Sequence, residues 1–359
     1  KERELLMDRH TLALQLLHEG TVIPAIPLAL DAERQFDRAA QERLARYYMQ
    51  AGSGGVAAAV HSTQFAIRDP KYSLFEPVLE CVVRQMEAYE AQTGKTLVRI
   101  SGVCGPTEQA CREAELARSY GYDAVLLSPG GLNHWTEAAL LARTAAVAKV
   151  LPVIGFYLQD AVGGRKLSQD YWRRLADTPG VAAVKCACFD RYRTEDLVKG
   201  VLQSGRWQDV TLYTGNDDHI LFDLLTPFTC TVDGEVRQKY FDGGLLGQWS
   251  VWTHAAAELF RACRACRQSG SVPSALLAAA ERLTQCNGAI FDVAHGFAGC
   301  IPGLHYVLQR QGLMEGTWCL DENETLSEGQ ASLIDALWAQ YPELADDAFV
   351  RSFLASERV

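Results

Sequence analysis

Much that would announce a function is missing from this sequence. No GxGxxG follows an apolar run and no GxxxxGK[ST] occurs anywhere, so the usual dinucleotide and P-loop cradles have no support. The eight histidines form no HxH or HExxH pair, and Asp217-Asp218-His219 alone is too short a cluster to make a metal set. Lys and Arg number 34 against 44 Asp and Glu, a formal charge of -10, with no basic block. Such a surface repels phosphate, so neither nucleic acid nor an anionic membrane is an expected partner. The most apolar stretch, residues 138–158, is broken by Arg143, Lys149 and Pro152, and the opening Lys1-Glu2-Arg3-Glu4 is no signal-peptide core, so a cytoplasmic address is expected. The eleven cysteines are odd in number and scattered, which suits free thiols and not a disulfide framework. Cys263 and Cys266 have CxxC spacing but no second pair, and they fall in a helix-like stretch. Nothing calls for a nucleotide, flavin, pyridoxal or metal cofactor.

What is present is apolar material for a large core, 48% of 359 residues. It is arranged in eight short runs rich in Val, Ile and Leu: residues 21–27, 55–60, 96–101, 123–127, 152–157, 181–185, 209–213 and 228–232. Between them lie amphipathic segments such as 35–50, 72–92, 107–120 and 136–150. Runs without polar alternation are buried on both faces, the habit of parallel strands covered by helices. Eight such units predict an α/β fold, a (βα)8 TIM barrel over 20–268, preceded by a helix within 1–19 (residues 4–18) and followed by a C-terminal helical extension over 269–359. Helical periodicity in the extension covers 273–290, 303–310, 326–341 and 347–355. A doubly wound open sheet is the alternative, weakened by the missing glycine fingerprint.

In such a barrel chemistry sits at the C-terminal ends of the strands, which turns the strand runs into a filter. Lysine occurs at only eight positions, and seven lie in loops, helices, at the terminus or before a strand. Lys185 instead closes Val181-Ala182-Ala183-Val184-Lys185. A desolvated amine loses its proton more readily, and the free amine is the form that attacks a ketone to make an imine. The bland alternative is a lysine snorkelling from a strand end to water. Tyr157 ends the preceding run and is expected at the same mouth, as a proton-transferring phenol or as an aromatic rim. The turn His61-Ser62-Thr63-Gln64-Phe65 offers hydroxyls and backbone donors for a carboxylate, or simply a helix cap. Gly215-Asn216-Asp217-Asp218 lines the pocket or caps the next helix.

Together these segments resemble the dihydrodipicolinate synthase and N-acetylneuraminate lyase family of class I aldolases. The resemblance runs from about Gly20 to at least Phe260 and is ordered along the chain. Ile100-Ser101-Gly102-Val103-Cys104-Gly105 with Thr107 and Glu108 is similar to the family's third-strand turn and helix start. The run 121–129 resembles its fourth strand, 151–157 its fifth, 181–185 its sixth, and Tyr213-Thr214-Gly215-Asn216-Asp217 the Gly-x-Asp turn after its seventh. The resemblance implies a Schiff base between Lys185 and pyruvate or another 2-oxo acid, with no other cofactor. It implies proton transfer by Tyr157, carboxylate binding by Ser62 and Thr63, and a homo-oligomer, usually a tetramer built as a dimer of dimers. His61, Gln64, His134 and Asp217 are candidate specificity residues.

Departures from the family pattern shape the expected activity. The Gly-Thr-Thr/Ser-Gly-Glu turn is replaced by His61 to Phe65, Gly130 and Gly131 stand where the synthases carry a tyrosine after Pro129, and Leu158-Gln159-Asp160-Ala161-Val162 replaces Asn-x-Pro, the second-substrate arginine being absent. Authentic dihydrodipicolinate synthesis is therefore not expected. The expectation is a class I lyase or aldolase on a 2-oxo acid. The alternatives are dehydration of a keto-deoxy sugar acid through the same imine, and a catalytically silent barrel with a binding or regulatory role.

Overall fold

The computed structural model describes residues 8–357. Eight parallel strands form the central sheet: β1 (Val22–Pro24), β2 (Gly55–Ala58), β3 (Val98–Val103), β4 (Ala124–Leu127), β5 (Val153–Leu158), β6 (Val181–Ala187), β7 (Thr211–Thr214) and β10 (Phe241–Leu246). Their order is β1-β10-β7-β6-β5-β4-β3-β2, and a parallel bridge from Ala25 to Ala57 closes the ring. Side chains alternate between two cores. Ile23, Ala57, Ile100, Ile154, Phe156, Ala183 and Leu245 fill the barrel, whereas Val56, Val125, Val153, Tyr157 and Val184 face the surrounding helices.

Several of the helices begin where the sequence supplies a side-chain cap. Asp37 accepts from the Ala40 amide at the start of α2 (Arg38–Gln50), Thr136 from Ala139 before α5 (Glu137–Val147), and Ser168 from Tyr171 before α6 (Gln169–Asp177). The first helix, α1 (Arg9–Glu19), closes the N-terminal end of the barrel; the expected start at residue 4 lies outside the described residues. Leu17 enters the barrel core and its carbonyl accepts from the Tyr213 hydroxyl at 2.7 Å. Asp123, wholly buried at this end, accepts from Arg9 Nη1 at 2.7 Å, the Arg99 amide at 3.0 Å and His10 Nδ1 at 2.9 Å.

One expected strand is misplaced. Residues Phe228–Val232 (β8) do not enter the barrel but pair antiparallel with β9 (Glu235–Lys239) as an external hairpin. Asp233 (φ 51°) and Gly234 (φ 84°) form its two-residue turn, the Asp-Gly signature of such hairpins. The eighth barrel strand is instead Phe241–Leu246, whose two glycines disguise it. They are required: a Cβ on Gly243 would stand 2.5 Å from the Thr21 carbonyl oxygen, and one on Gly244 2.6 Å from the Trp249 ring.

After α9 (Thr253–Ser269) the chain is helical, as expected: α10 (Ser274–Ile290), α11 (Cys300–Arg310), α12 (Gln330–Gln340) and α13 (Asp347–Ser356). Buried hydrogen bonds fasten this extension to the barrel. Tyr47 donates to Asp346 at 2.6 Å, Asn287 to the Asp217 carbonyl at 2.7 Å, and the Leu320 amide to Gln64 Oε1 at 2.7 Å. Among the described residues no helix is long and apolar enough to cross a membrane.

Removing Asp123 strands Arg9 and the Arg99 amide. Asp123→Ala is expected to destabilise the fold by about 3 kcal/mol, read as a lowered urea midpoint at unchanged slope.

Candidate active site

A cavity of about 730 Å³, its open mouth included, lies at the C-terminal end of the barrel. Strand β6 delivers Lys185 into it, 8% exposed, with Nζ 4.5 Å from the centre of the Phe156 ring on the neighbouring strand. The amine has room because residue 215 is glycine: a Cβ there would stand 2.4 Å from Lys185 Cε. Asp217, from the loop after β7, lines the same cavity, its Oδ1 accepting from the Gln248 amide at 3.1 Å.

A buried network holds that loop. Asn216 Oδ1 accepts from the Phe189 amide at 3.1 Å, while its Nδ2 donates to Asp223 at 2.9 Å. The Asp223 carboxylate also accepts from Thr214 at 2.7 Å and Arg191 at 2.6 Å. Asn216 thus acts between strands and is not a helix cap. It pins the loops that follow β6 and β7 to each other, which sets where Asp217 lies relative to Lys185.

Burial sets the proton affinities. Desolvation pulls the Lys185 amine down to about 8, against the opposing pull of the Asp217 carboxylate. The same burial pushes Asp217 up to about 7, against the Gln248 amide and Lys185, which favour its ionised form. His61, also lining the cavity, is lowered to about 4 by burial and then by the charge of Lys185, so it is neutral near pH 7. The cavity therefore holds an amine and an acid that both exchange protons close to neutrality.

Of the residues expected here, Lys185, Asp217, His61 and Ser62 line the cavity, and Tyr157, Thr63 and Gln64 do not. Tyr157 faces outward, its ring 4.8 Å from that of Trp172 and its hydroxyl accepting from the Leu167 amide at 3.4 Å. Burial pushes its phenol up to about 12. The cause is an irregularity in the pairing of β5 with β6: Val153 faces Val181, but Ile154 faces Ala183, leaving Ala182 as an extra residue. Without it Lys185 would stand beside Tyr157; with it the partner of Lys185 is Phe156.

The hydroxyl turn is mostly self-satisfied. Ser62 Oγ donates to the Ala25 carbonyl at 2.8 Å, and Thr63, fully buried, donates to the Ile26 carbonyl at 2.7 Å. Gln64 takes φ 67° and is used to hold Leu320, so it fastens the extension instead of meeting a ligand. His134 is exposed and away from the cavity.

The wall built by the extension has no signal in the sequence. Phe291, Cys300 and Leu304 line the cavity, joined by Phe156 and Leu158 from β5 and by Val162 and Phe189 from the segments that follow β5 and β6. Helical periodicity marks α10 and α11 as packed elements but does not say against what they pack. The eleven cysteines are free; Cys263, within α9, is pushed up to about 12 by burial, as suits an inert core thiol. Among the described residues no group of three or more His, Cys, Asp or Glu stands close enough to hold a metal ion.

With a barrel closed around a strand-borne lysine, the sequence matches the profile of the dihydrodipicolinate synthetase family over residues 18–330. The chain belongs to that family. No curated protein matches it. Among solved structures, a prophage protein of the dihydrodipicolinic acid synthase family from E. coli K12, in complex with pyruvate, aligns with TM-score 0.73 and 17% identity, covering 90% of this chain and 98% of its own. A putative dihydrodipicolinate synthetase from Pseudomonas aeruginosa gives 0.68 and 18%, covering 90% and 99%. N-acetylneuraminate lyase from Fusobacterium nucleatum gives 0.66 and 12%, also covering 90% and 99%. At such identities the likeness speaks for the fold alone.

Because the Asp217 carboxylate supports the ammonium form of Lys185, Asp217→Asn is expected to lower the amine's pKa further. The rise of Lys185 labelling with pH, followed by mass spectrometry with an amine-reactive reagent, should have its midpoint near 8 in the wild type and move to lower pH in the variant. A shift to higher pH would contradict the assigned interaction.

Proposed function

We propose that this family member is a class I lyase of the aldolase type, acting on a 2-oxo acid through an imine on Lys185. The observation that carries the reading is the buried amine of Lys185, drawn down to about 8, in a cavity at the catalytic end of the barrel beside Asp217.

In this reading Nζ attacks the C2 carbonyl of the oxo acid, the carbinolamine loses water, and the protonated imine withdraws electrons from C3. Loss of a C3 proton gives an enamine whose carbon adds to an aldehyde; the reverse sequence cleaves the bond. Water then hydrolyses the imine and frees the lysine. The start of the His61–Thr63 turn lines the cavity, and the His61 and Ser62 amides make no hydrogen bond within the described residues. They are the donors we assign to the substrate carboxylate, since the Ser62 hydroxyl proton is engaged by Ala25.

Proton transfer falls to Asp217. The residue that β5 turns toward Lys185 is Phe156, which has no proton to give, and the Tyr157 phenol lies on the far side of the sheet. A carboxyl group pushed up to about 7 both accepts and returns protons at neutral pH.

Borohydride reduction in the presence of pyruvate should fix an adduct on the Lys185 peptide, and Lys185→Ala should abolish it while leaving the fold intact. Asp217→Asn is expected to lower kcat roughly 10² to 10⁴-fold, and Tyr157→Phe to change it by less than about threefold, within the reach of indirect packing effects. Loss of turnover in Tyr157→Phe with retention in Asp217→Asn would reverse the assignment.

A further inference from the structure

The aldehyde partner is not named by the imine alone, and the cavity walls constrain it. Resting on the imine reading above, we infer that the second substrate is an uncharged apolar aldehyde, aromatic or branched aliphatic, and neither a second carboxylate nor a polyhydroxylated sugar.

The first ground is charge. Among the described residues Lys185 is the one cationic side chain lining the cavity, His61 being neutral near pH 7. No arginine among the described residues lines the cavity, and those on the segments after β2, β5 and β6 make contacts outside it. Arg68 pairs with Glu113 and donates to the Ala59 and Gly102 carbonyls, Arg193 pairs with Asp160, and Arg165 donates to the Trp135 carbonyl. A second carboxylate would enter a cavity that already holds Asp217, with no cation left to receive it, inside a protein of net charge -10.

The second ground is hydrogen-bonding capacity. A sugar chain brings several hydroxyls, each needing a partner once desolvated. Beyond Lys185 and Asp217, the polar side chains at the cavity are His61, Ser62, Ser128 and Gln159. The Ser62 hydroxyl already donates to the Ala25 carbonyl at 2.8 Å, and Ser128 Oγ already accepts from the Gly130 amide at 3.2 Å. The third ground is shape. Phe156, Phe189, Phe291 and Leu304 bring carbon to the cavity from a strand, the loop after β6 and the extension. Rings and branched alkyl groups gain most from such a lining.

The step balances without any added oxidant or reductant. The enamine C3 forms a bond to the aldehyde carbon, the carbonyl π pair passes to oxygen, and that oxygen takes the proton held by Asp217. Hydrolysis releases a 4-hydroxy-2-oxo acid with the apolar group on C4.

The test uses the full-length protein with pyruvate and three aldehydes: benzaldehyde, succinic semialdehyde and glyceraldehyde. Product is followed by mass spectrometry, and borohydride trapping of the pyruvate adduct is run in parallel. The expected result is a kcat/KM for benzaldehyde at least about tenfold above either of the others. Val162, half-buried on the wall after β5, offers a gain-of-charge control. Val162→Arg should raise the succinic semialdehyde to benzaldehyde ratio by about tenfold or more. An adduct on Lys185 with preference for glyceraldehyde or succinic semialdehyde, or with no turnover of benzaldehyde, overturns the apolar assignment and leaves the imine reading standing. An unchanged ratio in Val162→Arg removes that wall from the aldehyde site and overturns the charge argument. No adduct on Lys185 at all overturns the imine reading and this inference with it.

Discussion

A charged amine is costly to hold among apolar side chains, and the architecture around Lys185 follows from that cost. The β6 strand puts the side chain inside the barrel, where Ala183 and Ala187 leave it space and Gly215 lets its methylenes lie flat. The protein does not neutralise the ammonium with a close, fully ionised partner. It keeps amine and acid both near the point of losing or gaining a proton, so that neither is a full buried charge for all of the time. Asp217 serves that balance only while its loop is fixed, and the Asn216–Asp223 network with the Asn287 bond to its carbonyl does the fixing.

That constraint is also why Lys185 was legible in the sequence. A lysine ending a wholly apolar strand contradicts its surroundings, and a contradiction of this kind points to chemistry. Its neighbour was illegible for a related reason. The β5 run is apolar at every position, so nothing in it says which residues face inward. Counting from the strand starts sets Tyr157 beside Lys185, four residues along each run. The one extra residue at Ala182 changes the count by one and exchanges Tyr157 for Phe156. A bulge is a feature of pairing, and pairing is not written in either strand alone.

The barrel itself was read correctly in seven of its eight strands, and the failure has a chemical origin. Phe228–Val232 looks like a strand and is one, but its Thr229 and Thr231 face water, as suits a hairpin. The Asp233-Gly234 dipeptide beside it was the available warning. Phe241–Leu246 looked unlike a strand because close packing against Thr21 and Trp249 demanded glycine, the residue least suggestive of a sheet. The four helices of the extension were placed from periodicity, yet their contribution to the cavity lay beyond what periodicity encodes: it tells a helix which face to bury and not which cavity that face will complete.

The bond from the Leu320 amide to Gln64 spans 256 residues of sequence, and the Phe291, Cys300 and Leu304 wall lies well after the last barrel strand. As the chain leaves the ribosome, the barrel strands are all present before this wall exists. A barrel closed at that stage has its lysine in place and its mouth unwalled. Contacts of such long sequence separation form late and slowly, so a part of the chain made after every barrel strand determines what the finished cavity admits.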